Sequence, residues 1–233
     1  MKKKLVVLTG AGISAESGIM TFRDAGGLWE NHSIEEVATP EGWHKNTNLV
    51  LQFYNERRAK SAEAIPNVGH LALVALEKHF DVRIITQNVD GLHEKAGSTD
   101  ILHLHGELSK VRSVTNENLI YEIGTKNIEI GDLAEDGGQL RPHIVWFGEL
   151  VPMFELAAEL CSKADLFVVI GTSMQVYPAA SLIGYVSDDS PKYIIDPNMP
   201  EVSNLYQNVT FINEKASVGV PQLAKKLINE FVY

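Results

Sequence analysis

A single cysteine, Cys161, stands in the 233 residues of the chain. It has no partner for an internal disulfide, and no cysteine cluster is present to hold zinc. Such a thiol-poor chain fits a reducing compartment. Long apolar runs are also missing: none reaches the ~20 residues needed to span a bilayer. Met1-Lys2-Lys3-Lys4 followed by Leu5 to Leu8 has the outline of a secretory leader, but Thr9 and Gly10 cut the apolar run below the ~7–15 residues of such a segment. The expectation is a cytoplasmic protein with no membrane partner. Positive charge is scarce: 20 lysines and arginines face 30 acids, for a net charge of −10. That balance disfavours a grip on phosphate backbones and argues against nucleic acid as a partner. Repeats and low-complexity segments are absent as well.

What is present suits one globular domain, or one core carrying a smaller insertion: 45% of residues are hydrophobic and 21% charged. A chain of this size buries roughly 70% of its unfolded surface. Apolar runs at Leu5–Leu8, Val82–Thr86, Ile101–Leu104, Ile144–Phe147, Leu166–Ile170 and Tyr193–Ile195 read as strands. They are unbroken rather than alternating, as in a parallel sheet buried on both faces. Helical spacing lies between them: Leu49 to Arg57, a start at Pro66-Asn67 before Leu71, a run after Pro152, another opened by Pro178, and a terminal helix opened by Pro221. Strands alternating with helices predict an α/β fold with a Rossmann-like parallel sheet. Residues 31–65, polar, helical and without a strand, and residues 109–140, read as turns and short hairpins, interrupt the alternation. They predict a small inserted lobe, leaving residues 1–30, 66–108 and 141–233 to the large one.

Several strand ends carry residues able to do chemistry. Gly10-Ala11-Gly12-Ile13-Ser14-Ala15 follows the first strand and fits G-x-G-x-x-A, a turn whose bare backbone can approach a pyrophosphate. The acid expected at the end of a second strand about 20 residues on is missing, so this is no ordinary dehydrogenase unit. Gln87, Asn88 and Asp90 stand where the next strand ends; an Asx-capped turn would use the same residues. His103 and His105 alternate along an apparent strand and so share one face. Together they could ligate a metal, although the third ligand a zinc site needs is not supplied nearby in the sequence. Either could instead be a base near neutral pH, or a satisfied core residue. Gly171-Thr172-Ser173 and Asp196-Pro197-Asn198 end two further strands. Tyr54 and Arg57, three apart on one helix, combine a phenol with a guanidinium fork suited to a carboxylate. Taken bare, they also read as an exposed surface pair.

Together these segments resemble the sirtuin family of NAD-dependent protein deacylases. The matching text is Gly10-Ala11-Gly12-Ile13-Ser14 with Thr21-Phe22-Arg23, then Thr86-Gln87-Asn88-Val89-Asp90, His105-Gly106, Arg141 through Glu149, and Gly171-Thr172-Ser173. The likeness runs from Leu5 to about Phe231, and Tyr54-x-x-Arg57 matches the acidic-acyl signature of the bacterial class III group. The resemblance implies NAD, consumed as a co-substrate, and an acyl-lysine protein or peptide meeting in a cleft between two lobes. It implies NAD contacts at Gly10, Ala11, Gly12, Ala15, Glu16, Thr21, Phe22, Arg23 and Trp29. Further contacts fall at Gln87, Asn88, Val89 and Asp90, at Gly171, Thr172 and Ser173, at Asp196 or Asn198, and at Ala216. His105 is the implied general base, assisted by Asn88 and Asp90. Phe147-Gly148-Glu149 and Val176 would hold the peptide backbone, and Tyr54 with Arg57 a succinyl or malonyl carboxylate. The products implied are free lysine, nicotinamide and O-acyl-ADP-ribose.

The sequence departs from the family at one place. The family carries four cysteines on its small lobe; here Ser113 stands where the first would be, and residues 113–140 contain none. Thiolate zinc is impossible there. The expectation is no metal, with the lobe held by hairpin pairing and by Leu119, Ile120, Ile123, Ile128, Ile130 and Leu133. A monomer is expected. The competing activities are NAD glycohydrolysis and mono-ADP-ribosyl transfer, since the same electrophile can meet water or another side chain.

Overall fold

The computed structural model describes residues 2–20, 28–29 (backbone only), 32–198 and 206–232. Strand β1 (Lys4–Thr9) leads into one short helix, α1 (Ala11–Ala15), and a two-residue ribbon, β2 (Leu28–Trp29) with β3 (His32–Ser33). Helices α2 (Ile34–Val37), α3 (Pro40–Lys45), α4 (Thr47–Glu63) and α5 (Val68–Leu76) follow. Then come β4 (Asp81–Thr86), α6 (Leu92–Ala96), β5 (Ile101–His103), β6 (Gly106–Ser113), β7 (Ile120–Glu122) and β8 (Leu140–Ile144). After these lie α7 (Phe154–Ser162), β9 (Leu166–Ile170), a 3-10 helix (Ala179–Tyr185), β10 (Lys192–Ile195), β11 (Val209–Ile212) and α8 (Ala216–Phe231).

Six strands form one parallel sheet in the order β11-β10-β9-β1-β4-β5. The central parts of β1 (Leu5–Leu8) and β9 (Leu166–Ile170) are unbroken apolar runs because both faces are covered, whereas β4 carries Arg83 between Val82 and Ile84. Along β1, Leu5 and Val7 point into a core shared with α5 and α8, where Leu73, Leu76, Val220, Leu223 and Leu227 are buried. Val6 and Leu8 point into the opposite core, shared with α7 and the 3-10 helix through Ala157, Cys161, Leu182 and Ile183. Period-two alternation thus divides one unbroken run between two cores. The chain builds outward from β1 to β4 and β5, then returns to β9 on the other side of β1. That reversal opens a crevice at the carboxyl ends of β1 and β9, where ligands bind in sheets of this kind.

A second, antiparallel sheet, β7-β6-β8, packs on α4. Its core joins Val111, Leu108, Ile128 and Ile144 to Val37, Trp43, Val50, Phe53, Tyr54 and Trp146. β6 and β8 straddle the boundaries drawn at residues 108/109 and 140/141. Among the described residues, no helix is long and apolar enough to cross a membrane.

Several local expectations need correction. The strand expected at Ile144–Phe147 ends at Ile144; Phe147 N–H instead donates to Ala38 O at 2.9 Å, which turns the chain toward α2. Residues 31–65 do contain a strand, the two-residue β3. The terminal helix starts at Ala216, and Pro221 sits inside it. A distant carboxylate sets that earlier start: Glu16 accepts the Ser217 backbone N–H at 2.9 Å and its hydroxyl at 2.6 Å. Of the apolar residues expected to hold the small lobe, Ile128 is buried and Ile123 partly so, whereas Ile120, Ile130 and Leu133 are exposed. Ile120 lies on β7, an edge strand, and Ile130 and Leu133 lie in the connection from β7 to β8, outside the packed layer.

Candidate active site

The glycine turns come first, because they set the floor of the crevice. Gly10 N–H donates to Ile170 O at 2.9 Å and Gly12 N–H to Gly171 O at 2.8 Å, so the turns after β1 and β9 lie against each other. A Cβ on Gly12 would fall 2.6 Å from Gly171 Cα, and one on Gly10 would fall 2.7 Å from Thr172 Cβ. Gly171 itself adopts φ +62°, a left-handed conformation that favours glycine. These glycines are therefore required by contact between two turns, whatever they also offer a ligand.

Over that floor, Ser14 joins the two polar residues from the end of β4. Asn88 Nδ2 donates to Gly10 O and to Ser14 Oγ, both at 3.0 Å. Both amide hydrogens are thereby used, which leaves Oδ1 as the acceptor offered to a ligand. Ser14 Oγ passes its own hydrogen to Asp90 Oδ2 at 2.9 Å, while Leu92 N–H donates to Asp90 Oδ1 at 3.1 Å. Burial raises the Asp90 carboxyl above its ordinary value, against the pull of these two hydrogen bonds. The family motif includes Ser14 but implies no role for it; its place four residues after Gly10, one helical turn on, is the signal in the sequence that sets it beside Asn88.

The two histidines do not act as a pair on one strand face. β5 ends at His103, and His105 lies beyond it. His105 Nδ1 is 3.0 Å from the Gln87 carbonyl. A carbonyl only accepts, so Nδ1 carries the hydrogen and Nε2 keeps the lone pair. Burial lowers the His105 pKa, opposed by that same hydrogen bond. His103 lies between Asn88 O (3.3 Å) and the Glu94 carboxylate (2.6 Å). Burial works against a charged ring at His103, but Glu94, Glu107 and the Asn88 carbonyl together raise its pKa.

Other sequence-predicted residues take mixed positions. Gln87 Nε2 reaches Thr172 Oγ1 at 3.3 Å, bridging the ends of β4 and β9. Asp196 is buried at the end of β10, where it accepts Asn198 N–H at 2.9 Å; Asn198 is exposed. Glu16 accepts from Ser217, the residue after Ala216 at the start of α8, and Ala11, Ala15 and Ser173 flank the two turns. Val89 turns its side chain into the core of the second sheet. Thr21, Phe22 and Arg23 lie outside the described residues, as does the side chain of Trp29.

Tyr54 and Arg57 are 0% and 7% exposed, not the surface pair that bare spacing suggested. The Arg57 guanidinium lies over the Phe53 ring at 5.6 Å. Tyr54 Oη accepts the Trp146 indole N–H at 3.0 Å. Burial, foremost, pushes the Tyr54 phenol up to about 12. Phe147 and Gly148 are exposed and Val176 half-buried. Glu149 differs: its carboxylate accepts Arg141 at 2.7 and 3.1 Å and Trp146 N–H at 2.8 Å, and its own N–H donates to Trp146 O. It braces the loop with both side chain and backbone.

The fit to NAD and zinc differs sharply. A crevice at the strand reversal, floored by glycine and set with an oriented amide and a buried acid, fits NAD. The position expected for the first zinc cysteine does not fit zinc. Ser113 Oγ is 2.9 Å from both Asp136 oxygens and 3.0 Å from Thr115 Oγ1, which itself donates to Asp136 at 2.6 Å. Two hydroxyls and one carboxylate replace thiolates, and no group of three or more metal-binding side chains occurs among the described residues.

An open parallel α/β sheet with this crevice defines a nucleotide-binding enzyme of the Rossmann-like class. The Sir2 family model matches residues 10–178, and the chain belongs to the Sir2 family. It is 57% identical over 226 residues to an NAD-dependent protein deacylase of Helicobacter pylori (strain J99), covering 97% of this chain and 96% of that one. Among solved structures, a Sir2 homolog–NAD complex is 37% identical with a TM-score of 0.86, covering 98% of this chain and 90% of that one. A Sir2–p53 peptide–NAD+ complex is 28% identical with a TM-score of 0.78, covering 98% and 93%.

Proposed function

We propose that this NAD-dependent protein deacylase removes succinyl and malonyl groups from lysine, as well as acetyl groups. The observation that carries the reading is the buried Tyr54–Arg57 pair on α4, a phenol and a guanidinium within an apolar cluster. A fixed cation and a hydroxyl donor in such surroundings favour a carboxylate over a neutral acyl end, because charge-assisted hydrogen bonds strengthen where water is excluded. One such bond is worth roughly 1.5–3 kcal/mol, or tenfold and more between succinyl and acetyl.

When bound, NAD supplies an electrophilic ribose carbon and a nicotinamide leaving group. The chain holds the reactants in near-attack geometry, which compensates for the weak nucleophilicity of an amide oxygen. Asn88 Oδ1 and Asp90, set by Ser14, orient the nicotinamide end; Thr172, Ser173 and either Asp196 or Asn198 hold the adenosine side. His105 takes a ribose hydroxyl proton on Nε2, the atom that its bond to Gln87 leaves free. His103, between Asn88 O and Glu94, supports that strand end. Phe147, Gly148 and Val176 line the path of the peptide. The products are free lysine, nicotinamide and O-acyl-ADP-ribose.

The Ser113–Thr115–Asp136 cluster supports a protein without zinc. The lone cysteine supports a reducing, cytoplasmic setting, and the reading includes a monomer. The test is mass spectrometry of one peptide bearing acetyl-, succinyl- or malonyl-lysine, incubated with enzyme and NAD. NAD-dependent loss of succinyl with O-succinyl-ADP-ribose formed is the expected result. NAD consumption with every acyl group left in place would instead make the protein a glycohydrolase or ADP-ribosyltransferase.

A further inference from the structure

We propose that Trp146 is a positioning residue for acyl recognition: its indole N–H, held on Tyr54 Oη, turns the phenol's own hydrogen toward the bound acyl group. This rests on the reading of Tyr54 and Arg57 as the carboxylate site.

The geometry is specific. The Trp146 indole donates to Tyr54 Oη at 3.0 Å, with the two rings 6.4 Å apart and tilted by 34°. A phenol has one hydrogen to give. With the indole N–H on its oxygen, that hydrogen must point elsewhere, and no acceptor for it occurs among the described residues. A ligand oxygen is the acceptor this arrangement serves, and a carboxylate is the strongest candidate. Accepting a hydrogen bond also makes the hydroxyl a better donor. Because burial keeps the phenol protonated far above neutral pH, the donor is always present.

The indole is held so that it cannot swing away. The Arg141 guanidinium carbon stands 3.3 Å from the Trp146 ring centroid, and Trp43 packs at 5.6 Å. Arg141 is fixed by the Glu149 carboxylate and by Ile144 O at 3.0 Å, and the same carboxylate accepts the Trp146 backbone N–H. A cation on the ring face draws electron density from the indole and strengthens its N–H as a donor. Trp146 thereby connects the Arg141–Glu149 brace to the acyl-reading phenol, a role that packing alone would not require.

The experiment measures KM and kcat for matched succinyl- and acetyl-lysine peptides in four proteins: wild type, Trp146→Phe, Tyr54→Phe and the double variant. Wild-type desuccinylation tests the underlying reading by itself; its absence removes both that reading and this inference. Given that activity, Trp146→Phe should raise the succinyl KM about three- to tenfold, the range expected for one hydrogen bond. Its kcat and the acetyl KM should stay within about twofold. In the Tyr54→Phe background, Trp146→Phe should add nothing further, because its effect runs through the hydroxyl. Equal losses for both peptides, no change for either, or full additivity in the double variant would overturn the proposal. Should Trp146→Phe fail to fold, β-(3-benzothienyl)alanine at position 146 keeps the ring size without the N–H and is read by the same criteria.

Discussion

His105 Nδ1 lies 3.0 Å from the carbonyl oxygen of Gln87, and that contact decides which ring nitrogen is available for catalysis. The carbonyl takes the Nδ1 hydrogen, so Nε2 is left as the base. Replacing His105 with Ala should abolish deacylation while leaving NAD binding largely intact, as isothermal titration would show. Turnover within about tenfold of wild type would sink the assignment, since general-base catalysis supplies roughly 10²–10⁴.

The pH profile follows from the same ring. A base works when neutral, and burial lowers the His105 pKa below 6.5. The acid limb of kcat/KM should therefore fall below pH 6.5, with activity flat across neutrality. A limb centred above pH 7 would assign it to another group.

Stability should fall on mild acidification through a different pair. His70 and His93 are buried with ring centroids 5.0 Å apart. Burial lowers them to about 4 and about 3. In the unfolded chain each takes up a proton near pH 6.5, whereas the folded rings stay neutral. The unfolded state binds more protons in that window, so stability is full above pH 6.5 and declines toward about 4. Between pH 6.5 and 5 each ring contributes a loss of up to about 2 kcal/mol, with His105 and His143 acting in the same direction. His103, whose pKa is raised, opposes the trend. Urea denaturation at pH 7, 6 and 5 should show the decline, and His70→Phe should flatten it. Identical slopes in the two proteins would remove the pair from the account.

Gly12→Ala should cost about 1–3 kcal/mol, the range for overpacking a tight contact, because its Cβ would fall 2.6 Å from Gly171 Cα. Backbone on both sides leaves nothing flexible to yield. NAD should also lose its ability to raise Tm, since the two turns form the floor of its crevice. An unchanged Tm that still rises with NAD would show that the turns can separate freely.

The small lobe should be indifferent to chelators. EDTA should leave Tm and activity unchanged, and metal analysis should find no stoichiometric zinc. Asp136→Ala should lower Tm, because its carboxylate accepts hydrogen bonds from Ser113, Thr115 and Gly138 N–H. Stoichiometric zinc would refute the reading of this cluster as a metal-free substitute.

The sequence alone determined the parallel sheet, because unbroken apolar runs such as Leu5–Leu8 and Leu166–Ile170 suit strands covered on both faces. It also determined which strand ends carry polar residues, since motifs such as Gln87-Asn88-Val89-Asp90 are contiguous in the chain. Only the tertiary structure decided what those residues do to one another. The partners of Ser14, Glu16 and Tyr54 lie 76, 201 and 92 residues away, beyond any local pattern. Local spacing therefore read Tyr54 and Arg57 as a surface pair and opened the last helix at Pro221. Long-range contacts buried the pair and started the helix at Ala216. Periodicity reports which face of an element is apolar; what packs on that face depends on the folded chain.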